Sequence, residues 1–296
     1  MADSTAIGLV TGTPAADTAL VGQNTSAATR MSKFAYSALG GLVLASNTLT
    51  TANLTASVGT LHQLTIAGLT ANRGFILPDT AAVGERVSLH VVDGDPSFEV
   101  EIKTAAAGST INGTDCSTNE WSRVFIQNET LLFRCIVAGG AGATQWIVEN
   151  DGRIPCHCEI ADKSGTAGHY VNGTSTYPAF DTANVDVGGL ADLASDDINI
   201  RRPNNYLVTV GGATPGSLGN GQNIQIVTRV NTAAYRRLSL YSPAASALLG
   251  GSISNLIPLV AGDGVSMTLY HTAGSNLTWS TGDVDVNTVS VKEVFG

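Results

Sequence analysis

From Leu49 onward the apolar residues of this chain come in short runs that alternate with polar ones, and Gly, Asn and Asp punctuate the gaps. Val87, Leu89 and Val91 alternate, as do Phe98, Val100 and Ile102; apolar stretches follow at Val124 to Ile126, Leu131 to Ile136 and Trp146-Ile147-Val148. A period of two places every second side chain on one face of a pleated strand, which a helix of period 3.6 cannot do. Asp93-Gly94-Asp95-Pro96, Asn112-Gly113 and Asp151-Gly152 supply residues that accept positive φ or pre-set a turn, so this region predicts a small antiparallel β domain. Beyond Ile154, strands are expected at Ile198 to Ile200, Tyr206 to Val210, Ile224 to Val230, Arg237 to Tyr241, Val265 to Tyr270 and Val289 to Val294. Many short strands without helical segments between them point to a sandwich or jelly roll. The fold class is all-β.

Upstream, Leu49, Leu54, Leu61, Leu64 and Leu69 are spaced by five, seven, three and five residues, which matches neither a helix nor one long strand. Short rungs separated by tight turns fit, and such rungs bury their leucines well in an intertwined β shaft of three chains. Residues 1–48 differ in character, being rich in Ala, Thr and Ser with one compact apolar cluster from Met31 to Leu44. Ser32 can cap a short helix there carrying Phe34, Ala38 and Leu42, against the weakening effect of Gly40-Gly41. A segment with apolar residues but no core of its own orders by lying on something else, the alternative being a frayed terminus. The expected organisation is an extended anchoring arm at 1–48, with Met31, Phe34, Tyr36 and Leu39 as its gripping residues, a β shaft and small β domain at 49–153, and a head at 154–296.

Of the 296 residues 43% are apolar, enough for two cores without metals or disulfides. Only 13% are charged, about half the usual share. The net charge of −9 argues against nucleic-acid binding, which needs clustered cations. The basic pairs Arg201-Arg202 and Arg236-Arg237 each flank an expected strand and read as rim salt bridges or subunit contacts. No apolar run reaches the roughly 18 residues of a membrane span, and the first ten residues carry no basic group of a secretory signal. The expectation is therefore assembly in a cytoplasm. Four cysteines, Cys116, Cys135, Cys156 and Cys158, are too few for a secreted disulfide framework.

An ordered series of motifs in the last 140 or so residues resembles the jelly roll of the tumour necrosis factor superfamily and of complement globular heads. Ile154-Pro155-Cys156-His157-Cys158 looks like the opening strand. Phe180-Asp181-Thr182 with Val187-Gly188-Gly189-Leu190 looks like the second region, and Pro203 to Val210 like the strand carrying Tyr-Leu-Val. Leu259 to His271, with its Ala261-Gly262-Asp263-Gly264 turn, and Val289-Ser290-Val291 complete the series. Asn204-Asn205 departs from the family's usual glycine-containing pair, and no collagen-like tract precedes the module. Leu77-Pro78-Asp79, Gly84-Glu85-Arg86-Val87 and Glu120-Trp121-Ser122 resemble short β domains of phage fibres. The resemblance implies a bacteriophage virion surface protein: a homotrimer attached to capsid or tail proteins as a decoration or fibre, assembled in the bacterial host cytoplasm. Leu54, Leu64, Tyr206, Tyr241, Tyr270 and Phe295 are its candidate trimer-interface residues, although each aromatic is as well suited to the subunit's own sandwich core.

No residues support catalysis. The five histidines are scattered, no nucleophile elbow or pair of catalytic carboxylates is evident, and the Gly-rich stretches lack the Lys-Ser/Thr ending of a phosphate loop. Cys156-His157-Cys158 lacks a second ligand cluster, and on a strand its cysteines share one face while the histidine takes the other, so no metal is expected. Asp93 and Asp95 lack a calcium-loop pattern, and the acidic run Asp181, Asp186, Asp192, Asp196 and Asp197 is a weak calcium candidate. No cofactor is expected. An alternative role is a tail-fibre receptor module reading host surface glycan through the loops Gly211 to Gly221 and Thr272 to Asp283, with Asn276 and Trp279 as readers. A cell-wall polysaccharide hydrolase is the least favoured reading.

Overall fold

The computed structural model describes residues 42–95, 97–140, 142–162, 169–213, 218–243, 249–278 and 287–295. Met31, Phe34, Tyr36 and Leu39, together with most of the expected arm and its short helix, lie outside the described residues, as does Trp279. Among the described residues every regular element is a strand, and no helix is long and apolar enough to cross a membrane.

In the first lobe the chain alternates between two sheets. Strands β1 (Val43–Thr48), β3 (Thr60–Thr65) and β5 (Arg86–Val91) lie side by side in one sheet. Strands β2 (Leu54–Thr55), β4 (Arg73–Leu77) and β6 (Val100–Thr104) do the same in the other. All four neighbour pairs within these triplets are parallel. The antiparallel pairing expected here holds only for the later strands, with one exception. The later strands are β7 (Thr110–Ile111), β8 (Thr114–Asp115), β9 (Ser122–Val124), β10 (Thr130–Val137) and β11 (Gln145–Gly152). β10 runs antiparallel to both β5 and β11, and β9 antiparallel to β6, but β7 and β11 run parallel.

The irregular leucine spacing therefore marks rungs wound within one chain. Leu54, Phe75 and Ile102 stack across the second sheet, while Leu64 is in register with Val91 in the first. Leu49, Leu64 and Leu69 are buried in the lobe's own core with Phe75, Val87, Leu89, Phe133 and Trp146. That core removes the reason for three chains to intertwine there, because the leucines are already shielded from water. β1 includes residues 43–48, the last part of the expected arm, and leaves Val43 and Leu44 68% and 60% exposed at the sheet edge.

Asn112 and Gly113 both take positive φ, 49° and 81°, in the two-residue turn between β7 and β8, as an Asn-Gly pair does in a hairpin of this kind. Asp151-Gly152 is not a turn but the end of β11, with Gly152 opposite Thr130. His62 sits in the core with its ring edge against Phe75, centroids 5.4 Å apart. The Ser57 amide donates to its Nε2 at 3.1 Å, and its Nδ1 lies 2.9 Å from Asn47 Oδ1. Only a neutral ring can accept from Ser57 while donating to Asn47.

Burial holds both His62 and His90 below their ordinary pKa. The unfolded chain therefore binds more protons than the folded one as pH falls through the ordinary histidine range near about 6.5. Stability from these groups is complete above that value and is lost toward their lower folded pKa values. Urea titrations are expected to show falling stability from pH 7.5 to 5.5, with a shallower dependence in His62→Gln. An unchanged midpoint across that span would contradict the assignment.

The second lobe begins with β12 (His157–Ala161), β13 (His169–Tyr170) and β14 (Thr182–Val187), followed by β15 (Ala191–Asp192) and β16 (Asp197–Asn199). Next come β17 (Asn204–Ala213), β18 (Asn223–Val230), β19 (Ala233–Tyr241) and β20 (Gly250–Leu259). The lobe ends with β21 (Gly264–His271), β22 (Leu277–Thr278) and β23 (Thr288–Val294). One sheet has the order β14-β12-β23-β17-β20, the other β15-β16-β21-β18-β19, and β13 pairs with β22. After β16 the chain crosses to β17, returns for β18 and β19, crosses to β20, returns for β21 and crosses again to β23. Two antiparallel sheets exchanging strands in this way make a jelly roll. Ile160, Tyr206, Val208, Val210, Ile226, Met267, Val289 and Val291 fill the space between them.

Candidate functional site

The informative parts of the head are its two outward sheet faces and the joint with the first lobe. β17 shows how the first face arises. Tyr206, Val208 and Val210 point into the sandwich and are fully buried, so Asn205, Leu207 and Thr209 point out. Register carries this face across the sheet: Leu256 stands opposite Leu207 on β20, and Lys292, His157 and Val187 continue the row on the other side. The next rows hold Thr209, Ser254, Ser290 and Glu159, then Asn205, Pro258 and Val294. Leu256 is 60% and Leu207 42% exposed. Small residues and apolar side chains dominate, and the charged groups that register places here are Glu159 and Lys292.

The joint is ionic and buried. Arg201 and Arg202, between β16 and β17, are not at a rim: they reach into the first lobe. Arg202 pairs through Nη2 with Glu129 and through Nη1 with Glu293 at 3.2 Å, and all three side chains are inaccessible to solvent. Glu129 also accepts from the Phe125, Ile126 and Ile154 amides, and Glu293 from the Cys156 amide at 2.9 Å. Burial by itself would push the Arg202 guanidinium down, but its carboxylate neighbours, Glu129 foremost, hold it above the ordinary arginine value. Arg201 Nε donates to Glu99 at 2.7 Å, and its other nitrogens donate to the carbonyls of Gly188, Asp95 and Phe98. The Phe125 ring underlies both guanidiniums, 4.2 Å from Arg201 and 4.9 Å from Arg202.

The residues expected at a subunit interface are scattered. Leu64 lies in the first lobe's core and Tyr206 in the head's, where its hydroxyl donates to the Arg202 carbonyl at 2.8 Å. Both are inaccessible, so neither can meet a second chain. Burial also raises the Tyr206 pKa. Leu54 is half-buried against the first core. Phe295 is half-buried, with the Arg153 guanidinium 4.8 Å from its ring. Tyr270 is half-buried and Tyr241 64% exposed, but both belong to the sheet opposite Leu207. Asn276 is exposed, and its Oδ1 accepts from the Asn172 amide. Leu207 and Leu256 are the residues that sequence reasoning missed; the strand alternation beside Tyr206 held the signal for Leu207.

Cys156 and Cys158 point inward and His157 outward, and burial pushes Cys156 up and Cys158 up to about 12. Such thiols are poor ligands and nucleophiles at neutral pH. Among the described residues no three His, Cys, Asp or Glu side chains converge as a metal site would require.

No protein-family model matches the chain, and no curated protein sequence matches it. Among solved structures, the chain is similar to murine APRIL, in crystal structures at pH 8.5 and pH 8.0, each at 10% identity and TM-score 0.35 over 48% of this chain and 100% of that one. It is also similar to the globular domain of a zebrafish complement 1qA protein, at 10% identity and TM-score 0.33 over 48% of this chain and 98% of that one. The jelly-roll assignment rests on the strand order itself.

Proposed function

We propose that this chain is a non-enzymatic structural protein of a bacteriophage particle, a homotrimer held at the virion surface through residues 1–48 with its jelly-roll head directed outward. The observation that carries the trimer is the Leu207 face. Two leucines stand opposite each other in the open, in a sheet whose outward rows otherwise hold Ser, Thr, Asn, Val and Pro beside Glu159, Lys292 and His157. A face so poor in charge gains by being covered, and a stable interface needs about 800 Å² per partner, the area of several such rows. Three copies around one axis cover the face in a closed assembly, whereas open association would make fibres. Weak contacts to capsid or tail proteins, repeated threefold, then add by avidity.

Native mass spectrometry tests the assembly. The intact chain is expected to be trimeric at micromolar concentration, and the double variant Leu207→Asp, Leu256→Asp to be monomeric with an unchanged far-UV circular dichroism spectrum. A monomeric parent protein, or a variant that remains trimeric, would refute this interface. Incorporation of a variant lacking residues 1–40 into particles tests the anchor: a folded trimer excluded from the particle is the expected result.

A receptor-binding role is the second reading, and the observation favouring it is the opposite face of the head, where exposed tyrosine and arginine replace the leucines.

A further inference from the structure

The outward face of β18, β19 and β21 carries arginine and tyrosine and no carboxylate from its own strands. Ile224, Ile226, Leu238, Met267 and Leu269 turn toward the core, which fixes the outward set by alternation. Three rows result. Val227, only 2% exposed, is flanked by exposed Arg237 and by the inaccessible Thr268, Gln225 by Ser239 and Tyr270, and Asn223 by Tyr241, with Thr272 bonded to Asn223 beyond β21. Arg229 lies one step from Val227 on the same face. None of the residues of β18, β19 or β21 is acidic, in a chain with 24 Asp and Glu.

Charge pairing leaves the two outward arginines, like Arg73, Arg236 and Lys292, without a carboxylate partner among the described residues. Arg86, Lys103, Arg123, Arg134, Arg153, Arg201 and Arg202 each have a carboxylate partner. Arg229 and Arg237 have no ion pair among the described residues. Arg229 is held in place all the same: its Nε donates to Thr268 Oγ1 at 3.0 Å, its Nη1 to the Thr232 carbonyl, and its guanidinium lies 5.5 Å from the Tyr177 ring centroid. Asn231 and Thr232, both at positive φ, close the hairpin next to it in a tight two-residue turn. Among the described residues its Nη2 has no hydrogen-bond partner, and a guanidinium already held in place meets an anion at little ordering cost.

We infer that Arg229 and Arg237, with Tyr177, Tyr241 and Tyr270, form a binding face for an acidic polysaccharide bearing sugar carboxylates. A guanidinium fork matches a carboxylate in two parallel hydrogen bonds, and tyrosine rings cover the apolar faces of pyranose rings while Gln225 and Asn223 offer amides to hydroxyls. The absence of carboxylates from the three strands favours a polyanion over a protein surface of mixed charge. This face and the Leu207 face lie on opposite sides of the sandwich, so covering one leaves the other open. The inference rests on the reading that the head projects outward from a particle.

Isothermal titration of the full chain with polygalacturonate oligomers, in parallel with neutral dextran, tests the site. The parent protein should bind the acidic polymer saturably and the neutral one not at all. Arg237→Ala and Tyr241→Ala should each weaken binding by about tenfold, as expected for loss of one charge-assisted contact or one aromatic platform. Arg236→Ala makes the same change in net charge, but Arg236 stands opposite inward-facing Thr228 on the other side of the strand and should leave affinity within about twofold. No saturable binding, equal binding of dextran, or equal weakening by Arg236→Ala and Arg237→Ala would each overturn the inference. Native mass spectra of the same samples keep it distinct from the trimer: a trimer that binds no acidic polymer refutes this site alone, and a monomer that binds it refutes the trimer alone.

Discussion

Arg202→Ala is expected to destabilise the protein by about 3–5 kcal/mol, the cost of leaving buried charge without its partner. The substitution leaves the carboxylates of Glu129 and Glu293, both inaccessible to solvent, with no cation between them. Neither carboxylate can retreat to water, because each is tied to backbone amides: Phe125, Ile126 and Ile154 for Glu129, Cys156 for Glu293. Urea titration followed by far-UV circular dichroism measures the loss. Because Glu129 belongs to the first lobe and Arg202 and Glu293 to the second, the parent protein should unfold in one transition. A variant less than about 1 kcal/mol weaker than its parent would show that the triad is solvated in solution.

Phe125→Ala is expected to cost a similar amount, about 3–5 kcal/mol, for a different reason. Phe125 comes from the first lobe, is 2% exposed, and packs in the core of the second. Its removal opens a cavity in the head and takes away the ring beneath Arg201 and Arg202. Because both substitutions disrupt one joint, their effects should not add. The double variant should fall short of the sum by about 0.5–3 kcal/mol, the range seen for residues in contact. Strict additivity would mean that the ring and the ion triad stabilise separate parts of the molecule.

The joint also shows where sequence reading stops. Arg201-Arg202 is conspicuous in the sequence, but its partners Glu99 and Glu129 lie 102 and 73 positions away. Nothing local distinguishes a buried triad from a rim salt bridge. Tyr206 and Leu207 make the same point at the scale of one residue. Both are apolar neighbours in a strand, and which of them is left exposed depends on which face of the sheet meets the opposing sheet. Tyr206 was drawn inward, so Leu207 was left outside. The direction of pairing in the first lobe was equally hidden, since short rungs alternate in the same way whether their neighbours run parallel or antiparallel.

Local rules needed no partner and mostly held on their own, Asp151-Gly152 at the end of β11 being the exception. Alternation at Val87, Leu89 and Val91 became a strand buried at all three positions, the Asn112-Gly113 pair became a hairpin turn, and the ordered motifs of the last 140 or so residues became a jelly roll. The sequence by itself determined strands, turns and the two-sheet head, because side-chain direction and backbone φ are decided within a few bonds. Tertiary structure alone decided which faces are hidden, which arginines are paired and how the two lobes are joined. Those outcomes depend on desolvation and charge pairing between residues far apart in the chain, and such terms take a value only once the parts have met.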